Sequence, residues 1–593
     1  MKTTVKNQTT PLMQQYKDIK KRHQDSIVFF RLGDFYEMFY HDAETAAPVL
    51  EVALTQRQGV PMCGVPYHAV NTYIAKLIKK GFKVAICEQL TDDAPSSSSK
   101  NLFRRDVMHV VTPGTLIEEN LLDARNNNYC ASLSVSTNSQ THGMFSIHCA
   151  FGDISTGDIL VTSFDDIPGF PHLASQLAGR SPKEIIIPEH IKNRFPGIIH
   201  SITEQHAAVQ VVSEQEFAEI QASDSIIPSA ILTDEITADD ELLTIVKLLI
   251  SYIKQNRPSA VGALKKITAL DLNRFMIIDE TALKNLEIFT NLTDRSANAT
   301  LLSVLDNTAT SMGARMLRSW ILNPLLTIAE IQNRQSAVQF FLDDHFFREE
   351  LHQTMKTICD LERTINRLIT GSANARDLIG IKNALQTCGQ IAPMFREKDS
   401  NDLHSIPEQL SMIIKHLDPV PEMTDLIERS IVDAPPLSVK EGGIIKPGFN
   451  TTLDELRDAV THGKDWIAEL ESKERERTGI SNLKIGYTSV FGYYIEVTKS
   501  HLHKIPADYV RKQTLTNAER FITPELKTME DRIVGSQTKA DMLEYALFGS
   551  IKKDVLNHHI RIQQTAMNIA AVDALLSLAL SANANNYTRP EIT

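Results

Sequence analysis

The chain has 593 residues, 42% of them hydrophobic and 23% charged, with a formal net charge of −12. This is enough apolar material for about four domains with substantial cores, and the acidic balance excludes a uniformly basic coat for a polyanionic partner. No run approaches ~18 consecutive apolar residues, and no apolar stretch follows the lysines of MKTTVKNQTTPLMQQYKDIKKRHQD, so neither a membrane span nor a secretory signal is expected and the chain reads as cytoplasmic.

Cysteines 63, 87, 130, 149, 359 and 388 form no C-x-x-C pair. They predict reduced, mostly buried thiols rather than a zinc site or a disulfide framework. Charge is uneven along the chain: residues 1–112 hold 15 Lys/Arg against 11 Asp/Glu, and residues 484–527 hold 7 against 4. Two mildly basic islands thus interrupt an acidic chain, the local asymmetry that matters for a polyanion.

In chain order, residues 1 to about 113 predict a small α/β domain, with strand-like "GFKVAICEQL" and a Ser-rich loop at "DDAPSSSSKN". Within it, "RLGDFYEMFY" puts a Gly-Asp turn before Phe35, Tyr36 and Glu37. In a strand Phe35 and Glu37 share a face, and an aromatic beside a carboxylate suits neither core nor solvent. On burial preferences alone, Phe35 and Phe39 are core and Glu37 a solvated edge residue.

From about 128 to 250, "ASLSVS", "GMFSIHCAF", "GDILVTSF" and "KEIIIP" alternate with helical stretches, giving a second α/β unit. Beyond "NRPSAVGALKKI" the apolar spacing turns helical, as in "SMGARMLRSWILNPLL" and "CDLERTINRLITG". In 451–477, Leu453, Leu456, Val460, Gly463, Ile467 and Leu470 alternate steps of three and four, an amphipathic arm on the order of 40 Å long. It leads to a hairpin pattern in "LKIGYTSVFGYYIEVTKS" with a turn near Phe491-Gly492, then to a returning helix from Pro524. A β tip on two long arms suits gripping better than catalysis. Its Lys484, Thr488, Lys499, Lys504, Arg511, Lys512, Asn517 and Arg520 offer donors that phosphate oxygens accept.

Several segments together resemble one family. "FFRLGDFYEMFYHDA", "PMCGVPYHAV", "VAICEQL" and "VVTPGT" are similar to the mismatch-recognition domain of the MutS DNA mismatch repair family, "LLSVLDNTATSMGARMLRSWILNPL" to its helical core, and "FGYYIEVTK" with "QTLTNAERFITPELK" to its clamp. The likeness runs in order over essentially the whole chain. It implies a multidomain α/β plus all-α fold: a mismatch-binding domain at 1–115, a ribonuclease H-like connector at 125–250, a helical core with lever helices at 258–440, an inserted β-tipped clamp at 441–522, and a returning lever helix at 523–593.

The resemblance implies that Phe35 and Glu37 fill the Phe-x-Glu motif that enters the minor groove at a mispair. The physics is consistent, because a ring wedged between base steps must unstack them at a few kcal/mol, and a mispaired step has already lost stacking and stiffness. Glu37 then hydrogen-bonds the displaced base, and desolvation with nearby phosphates favours its protonated, donating form. Leu32, Asp34, Arg57, Met62, Tyr67 and His68 are carried over as mismatch-binding neighbours; packing in the core is the other reading of Met62 and Tyr67. Of the tip's donors, Thr488, Lys499, Lys512, Asn517 and Arg520 are taken as the clamp's contacts to the DNA backbone. The partners implied are duplex DNA with mismatches or small loops, a MutL-type protein at the connector, and the nucleoid as location.

Two departures are visible in the first domain. "QGV" at Gln58–Val60 shortens a loop that is usually longer, and His109 replaces a common arginine with a group titrating near pH 6–7. No G-x-x-x-x-G-K-[ST] occurs in the sequence, so the chain is not expected to hydrolyse ATP; ATP, magnesium and the main homodimer contact belong in the family to a further domain. Two other functions compete. Asp153, Asp158 and Glu184 are the carboxylates of a nuclease reading, and an interaction scaffold for repair partners is the other.

Overall fold

The computed structural model describes residues 10–90, 103–137, 143–204, 206–401, 406–436, 442–488 and 492–593. The Ser-rich loop at 92–101 and Phe491 of the expected turn lie outside the described residues. The chain divides into two units, Met1–Ala373 with Ala384–Pro419 and His559–Thr593, and Asn374–Asn383 with Val420–His558.

The first sheet of unit 1 contains β1 (Ser26–Leu32), β2 (Phe35–Phe39), β3 (Thr55–Arg57), β4 (Val60–Pro66), β5 (Lys83–Gln89) and β6 (Arg105–Val111), in the order β3-β4-β2-β1-β5-β6. Only β1 and β5 pair in parallel. Helix α1 (Pro11–Arg22) covers one face, and α2 (Tyr40–Leu50) with α3 (Val70–Lys79) covers the other. Burial on both faces explains the near-continuous apolar run of β1, SIVFFRL. Strand alternation sends Phe29, Tyr36 and Met38 to the α2/α3 side, and Val28, Phe30 and Phe39 under Met13, Tyr16 and Ile19 of α1.

A buried polar lock ties these layers together. The Tyr16 hydroxyl donates to Asp42 at 2.7 Å, and the Asp42 carboxylate also accepts from the Val28 amide at 3.0 Å and pairs with Lys20 at 2.8 Å. Burial first, and Asp42 next, push the Tyr16 phenol far above its ordinary range, so it stays a donor.

The second sheet, also in unit 1, has β7 (Cys130–Thr137), β8 (Phe145–Asp153), β9 (Asp158–Asp166), β10 (Glu184–Pro188), β11 (Ala208–Val212) and β12 (Thr268–Ala269), ordered β11-β10-β7-β8-β9-β12. β7, β8 and β9 form an antiparallel meander, and β10 runs parallel to β7 and to β11. Helix Asp240–Asn256 packs on one face and helix Pro171–Arg180 on the other.

Helix His559–Asn585 runs through the helical part of unit 1, packed by Ser311–Leu322, Ile328–Asp343 and Leu361–Ile369. By length and composition it could cross a membrane, but 72% of its apolar window is buried inside the protein, the condition of a core helix. It carries one buried acid, Asp573, which accepts from the amides of Ala309 and Thr310 at 2.9 and 2.7 Å and from the Thr310 hydroxyl at 2.6 Å. Burial pushes its carboxyl up to about 6. Gly313 is required beside it, since a Cβ there would meet Asp573 Oδ2 at 2.2 Å. Cys63, Cys87, Cys130, Cys149 and Cys388 are buried free thiols, and Cys359 is free and partly buried.

In unit 2, helices Thr451–Thr478 and Pro524–Leu556 pack along each other. Gly463 belongs to the seam because a Cβ would meet Ile533 Cγ1 at 2.4 Å. The sequence predicts a hairpin between these helices; the structure has a four-stranded antiparallel sheet, β13 (Lys484–Thr488), β14 (Gly492–Thr498), β15 (Val510–Thr514) and β16 (Ala518–Ile522), ordered β13-β14-β16-β15. The extra strands read poorly as strands because β15, VRKQT, is an exposed polar edge. The sheet lies back on its helices: the amides of Ile485 and Tyr493 donate to Glu471 and Glu530 at 2.7 and 3.2 Å, and the Tyr509 hydroxyl donates to Glu474 at 2.8 Å.

Replacing Tyr16 by Phe leaves the Asp42 carboxylate one donor short in a buried layer, at a cost of about 1–2 kcal/mol. Hydrogen exchange at the Val28 and Phe39 amides is expected to accelerate about fivefold to thirtyfold, with little change at helix His559–Asn585. Unchanged exchange would mean that the lock does not hold β2.

Candidate nucleic-acid interface

β1 and β2 are joined by a two-residue turn, Gly33-Asp34, since Leu32 pairs with Phe35. Gly33 has φ +58°, which suits glycine at the first central position of a tight hairpin. Three contacts fix the turn: the Tyr67 amide donates to the Asp34 carbonyl at 2.9 Å, Arg31 Nε donates to the Gly33 carbonyl at 2.5 Å, and the Arg31 guanidinium lies 3.8 Å from the Tyr67 ring centroid. Sequence reasoning misses Arg31. The available signal is a cation two residues before the turn, directly opposite Tyr36.

Along the shared face of β2, burial grades from core to surface. Phe39 is fully buried, the Glu37 side chain is 14% exposed and Phe35 is 48% exposed. The core assignment from burial preference is therefore correct for Phe39 and wrong for Phe35, because the strand runs past the end of α1's cover. On β4, Gly64 pairs with Glu37 and Pro66 with Phe35, so on that side no side chain stands beside the carboxylate.

Glu37 has a partner that the sequence does not reveal: Arg57 Nη1 lies 2.5 Å from Glu37 Oε2. The short "QGV" segment explains the placement. Arg57 pairs with Val60 across Gln58-Gly59, whose φ values of +53° and +80° make a two-residue turn with both centres left-handed. That tight turn fixes Arg57 at the strand end, within reach of Glu37.

Of the other expected positions, Asp34, Tyr67 and His68 are exposed around Phe35. Leu32 and Met62 are partly buried against the α1-side core, so they support the face from below. His109 departs from expectation. It lies on β6, partly buried, and burial, with the nearby Arg257 charge, lowers it to about 4. Arg257 meanwhile pairs with Glu118 at 2.6 Å. His109 is thus a neutral structural residue, not one titrating near pH 6–7.

On the tip, Lys499, Lys512 and Asn517 are exposed. Lys499 and Asn517 adjoin, the Lys499 amide donating to the Asn517 carbonyl at 3.1 Å. Lys512 sits where the β15–β16 register shifts between Arg511 and Gln513, a bulge that leaves it outside the ladder. Two other expected positions are placed differently. Arg520 is turned inward, 3.0 Å from Glu496, 3.0 Å from Gln513 and 4.0 Å from the Tyr494 ring centroid. Thr488 pairs with Gly492 at the opposite end of β14 from Lys499, about 20 Å away at strand rise.

Residues 10–120 match the family model for MutS domain I, and residues 281–579 that for MutS domain III. The chain belongs to the MutS family. It is 40% identical over 600 residues to the DNA mismatch repair protein MutS of Acetivibrio thermocellus, and 41% identical over 597 and 599 residues to those of Caldanaerobacter subterraneus and Alkaliphilus oremlandii. These alignments cover 98–99% of this chain and 66% of each relative, so the chain spans just under two thirds of the curated relatives' length.

In this MutS-family chain the three carboxylates of the nuclease reading have separate structural tasks. Asp153 accepts from the Ser155 amide and hydroxyl at 2.9 and 2.6 Å and from the Asn128 amide at 3.0 Å. Asp158 pairs with Lys265 at 2.9 Å. Glu184 accepts from the Thr112 and Tyr252 hydroxyls at 2.5 and 2.6 Å. No cluster able to hold a metal ion occurs among the described residues, so this geometry gives no support to two-metal chemistry.

The His109 shift has a definite sign. Its folded pKa, about 4, lies below the ordinary 6.5, so the unfolded chain takes up the proton first. The stability it contributes is present above about pH 6.5 and lost as pH falls toward 4. Between pH 7 and pH 5 the native chain is expected to lose about 2 kcal/mol more than His109→Gln, read from denaturant midpoints at both pH values. Equal losses would show that His109 titrates normally.

Proposed function

We propose that this chain binds duplex DNA and recognises mispaired or looped bases by minor-groove wedging, as the binding part of DNA mismatch repair. The observation that carries the reading is Phe35, an aromatic ring 48% exposed on a strand whose next same-face aromatic is fully buried. A wedge must be stiffer than the DNA it opens, so that the energy goes into unstacking bases rather than bending the protein. The Gly33-Asp34 turn, held by Tyr67 and Arg31, supplies that stiffness. A matched step resists with its full stacking, while a mispaired step kinks at lower cost. Recognition follows from deformability rather than from base identity.

Glu37 is placed to meet the displaced base two strand positions from the ring. In the free chain it accepts from Arg57. Phosphates arriving at the groove compete for that guanidinium, so the carboxylate is released to the base as DNA is engaged. The exposed Lys499, Lys512 and Asn517 of the tip contact phosphates and add affinity without sequence information. The same reading includes a MutL-type partner at the second sheet and a cytoplasmic, nucleoid-associated location, both as the family resemblance implies. No catalytic role is assigned to the described residues.

Phe35→Ala is expected to abolish the preference for a mismatched over a matched duplex in fluorescence anisotropy while weak binding to both survives. Parallel loss on both DNAs, with the preference intact, would contradict the wedge. Arg57→Ala removes one phosphate contact and should weaken both duplexes alike, with the salt dependence of binding reduced by about one ion. An unchanged salt slope would place Arg57 away from the backbone.

A further inference from the structure

Between α3, the loop around Asp123, the end of helix Pro171–Arg180 and helix Ser311–Leu322, unit 1 encloses a cavity of about 1070 Å³. Its lining is one-sided in charge. Lys79, Lys80, Arg180, Lys183, Arg295 and Arg318 line it, and Asp123 is the one acid among the described lining residues. Asp123 is turned to its own loop, accepting from the Arg125 amide at 2.9 Å and the Asn126 side chain at 2.8 Å. The neighbouring Arg315, also on the wall, is neutralised by Asp360 and Glu362 at 2.7 and 2.8 Å. None of the six cations has an ion pair among the described residues.

Arg180 sharpens the point. It is 6% exposed, its Nη1 donates to Gln176 Oε1, and its Nη2 is buried with no hydrogen-bond partner. A guanidinium keeps its charge in proteins, and a buried charge without a counter-charge is strongly disfavoured. Arg318 lies 3.9 Å from the Phe289 ring centroid, with no hydrogen bond to anchor its donors among the described residues. Lys183 is exposed, yet the surrounding protein and the adjacent Arg318 charge hold its ammonium below the ordinary lysine range, against the opposing pull of Asp123. Lys79, Lys80, Lys183 and Arg295 are exposed around the opening, with Arg318 half-buried and Arg180 buried behind them, a gathering of like charge that an anion stabilises.

We propose that this cavity binds a small anion carrying two or more phosphate groups, gripped by Arg318 and Lys183 with the fixed charge of Arg180 behind them. Arginine forks match phosphate oxygens in pairs. The volume is at the upper end of ligand pockets, roughly 300–1000 Å³, and a singly charged ion would leave most of the cations unbalanced.

The test is calorimetric titration of the full chain with inorganic pyrophosphate at low ionic strength, where screening is weak. One saturable site is expected, weakened at least tenfold in both Arg318→Gln and Lys183→Gln, whose side chains are not buried and whose melting temperatures should match the native chain. Lys356→Gln, exposed in the turn after helix His345–Met355 and remote in sequence from the cavity walls, should bind as the native chain does. Absence of saturable binding, equal affinity in the cavity variants, or an equal loss in Lys356→Gln would overturn the proposal.

Discussion

Burial of Phe39 fixes the exposure of Phe35. The two rings share one face of one short strand, four residues apart, and a strand cannot slip by one residue without turning its core face outward. Phe39 is held under α1 by Tyr16, which is itself tied to Asp42 on α2. With that end anchored, the other end of the strand runs beyond the helix and presents Phe35 to solvent. The site is therefore an extension of the core rather than an addition to it, and its rigidity has the same origin as the fold's.

Around this anchor, polar groups fall into two classes. Buried acids are committed to architecture: Asp42 joins two helices to β1, Asp573 holds the start of helix Ser311–Leu322, and Glu184 collects hydroxyls from Thr112 and Tyr252. Cations also stand where a polyanion would be met, Arg57 beside the wedge and Lys499 and Lys512 on the tip. The net charge of −12 hides this division. Long-range repulsion from the acidic remainder would slow non-specific association and favour contacts made where cations are presented locally.

Much of the fold is legible in the sequence because burial leaves a period there. The arm at 451–478 shows its seam in steps of three and four, including Gly463, whose meaning becomes clear only with Ile533 pressed against it. The Phe-x-Glu pair is legible through alternation, and family resemblance supplies what alternation cannot. Other features are hidden for physical reasons. β15 is an exposed polar edge with no apolar rhythm, so the tip reads as a hairpin. Chemical type alone points to Arg520 and Thr488, whereas pairing with Glu496 and the antiparallel register decide where they sit. His109 reads as an ordinary titrating histidine, but burial lowers it, helped by the charge of Arg257 from far along the chain. The Arg57–Glu37 pair joins positions 20 residues apart through a turn of the type usually built on Asn-Gly, here Gln58-Gly59.

The most direct measurement is the fluorescence of 2-aminopurine placed next to a mispair in a short duplex, which brightens when its base unstacks. Saturating the duplex with the full chain should raise the emission at the mispair and leave a matched duplex of the same sequence context nearly unchanged. A bound complex in which the reporter stays as quenched as in free DNA would mean that the exposed ring on β2 does not enter the helix, and recognition by wedging would be wrong.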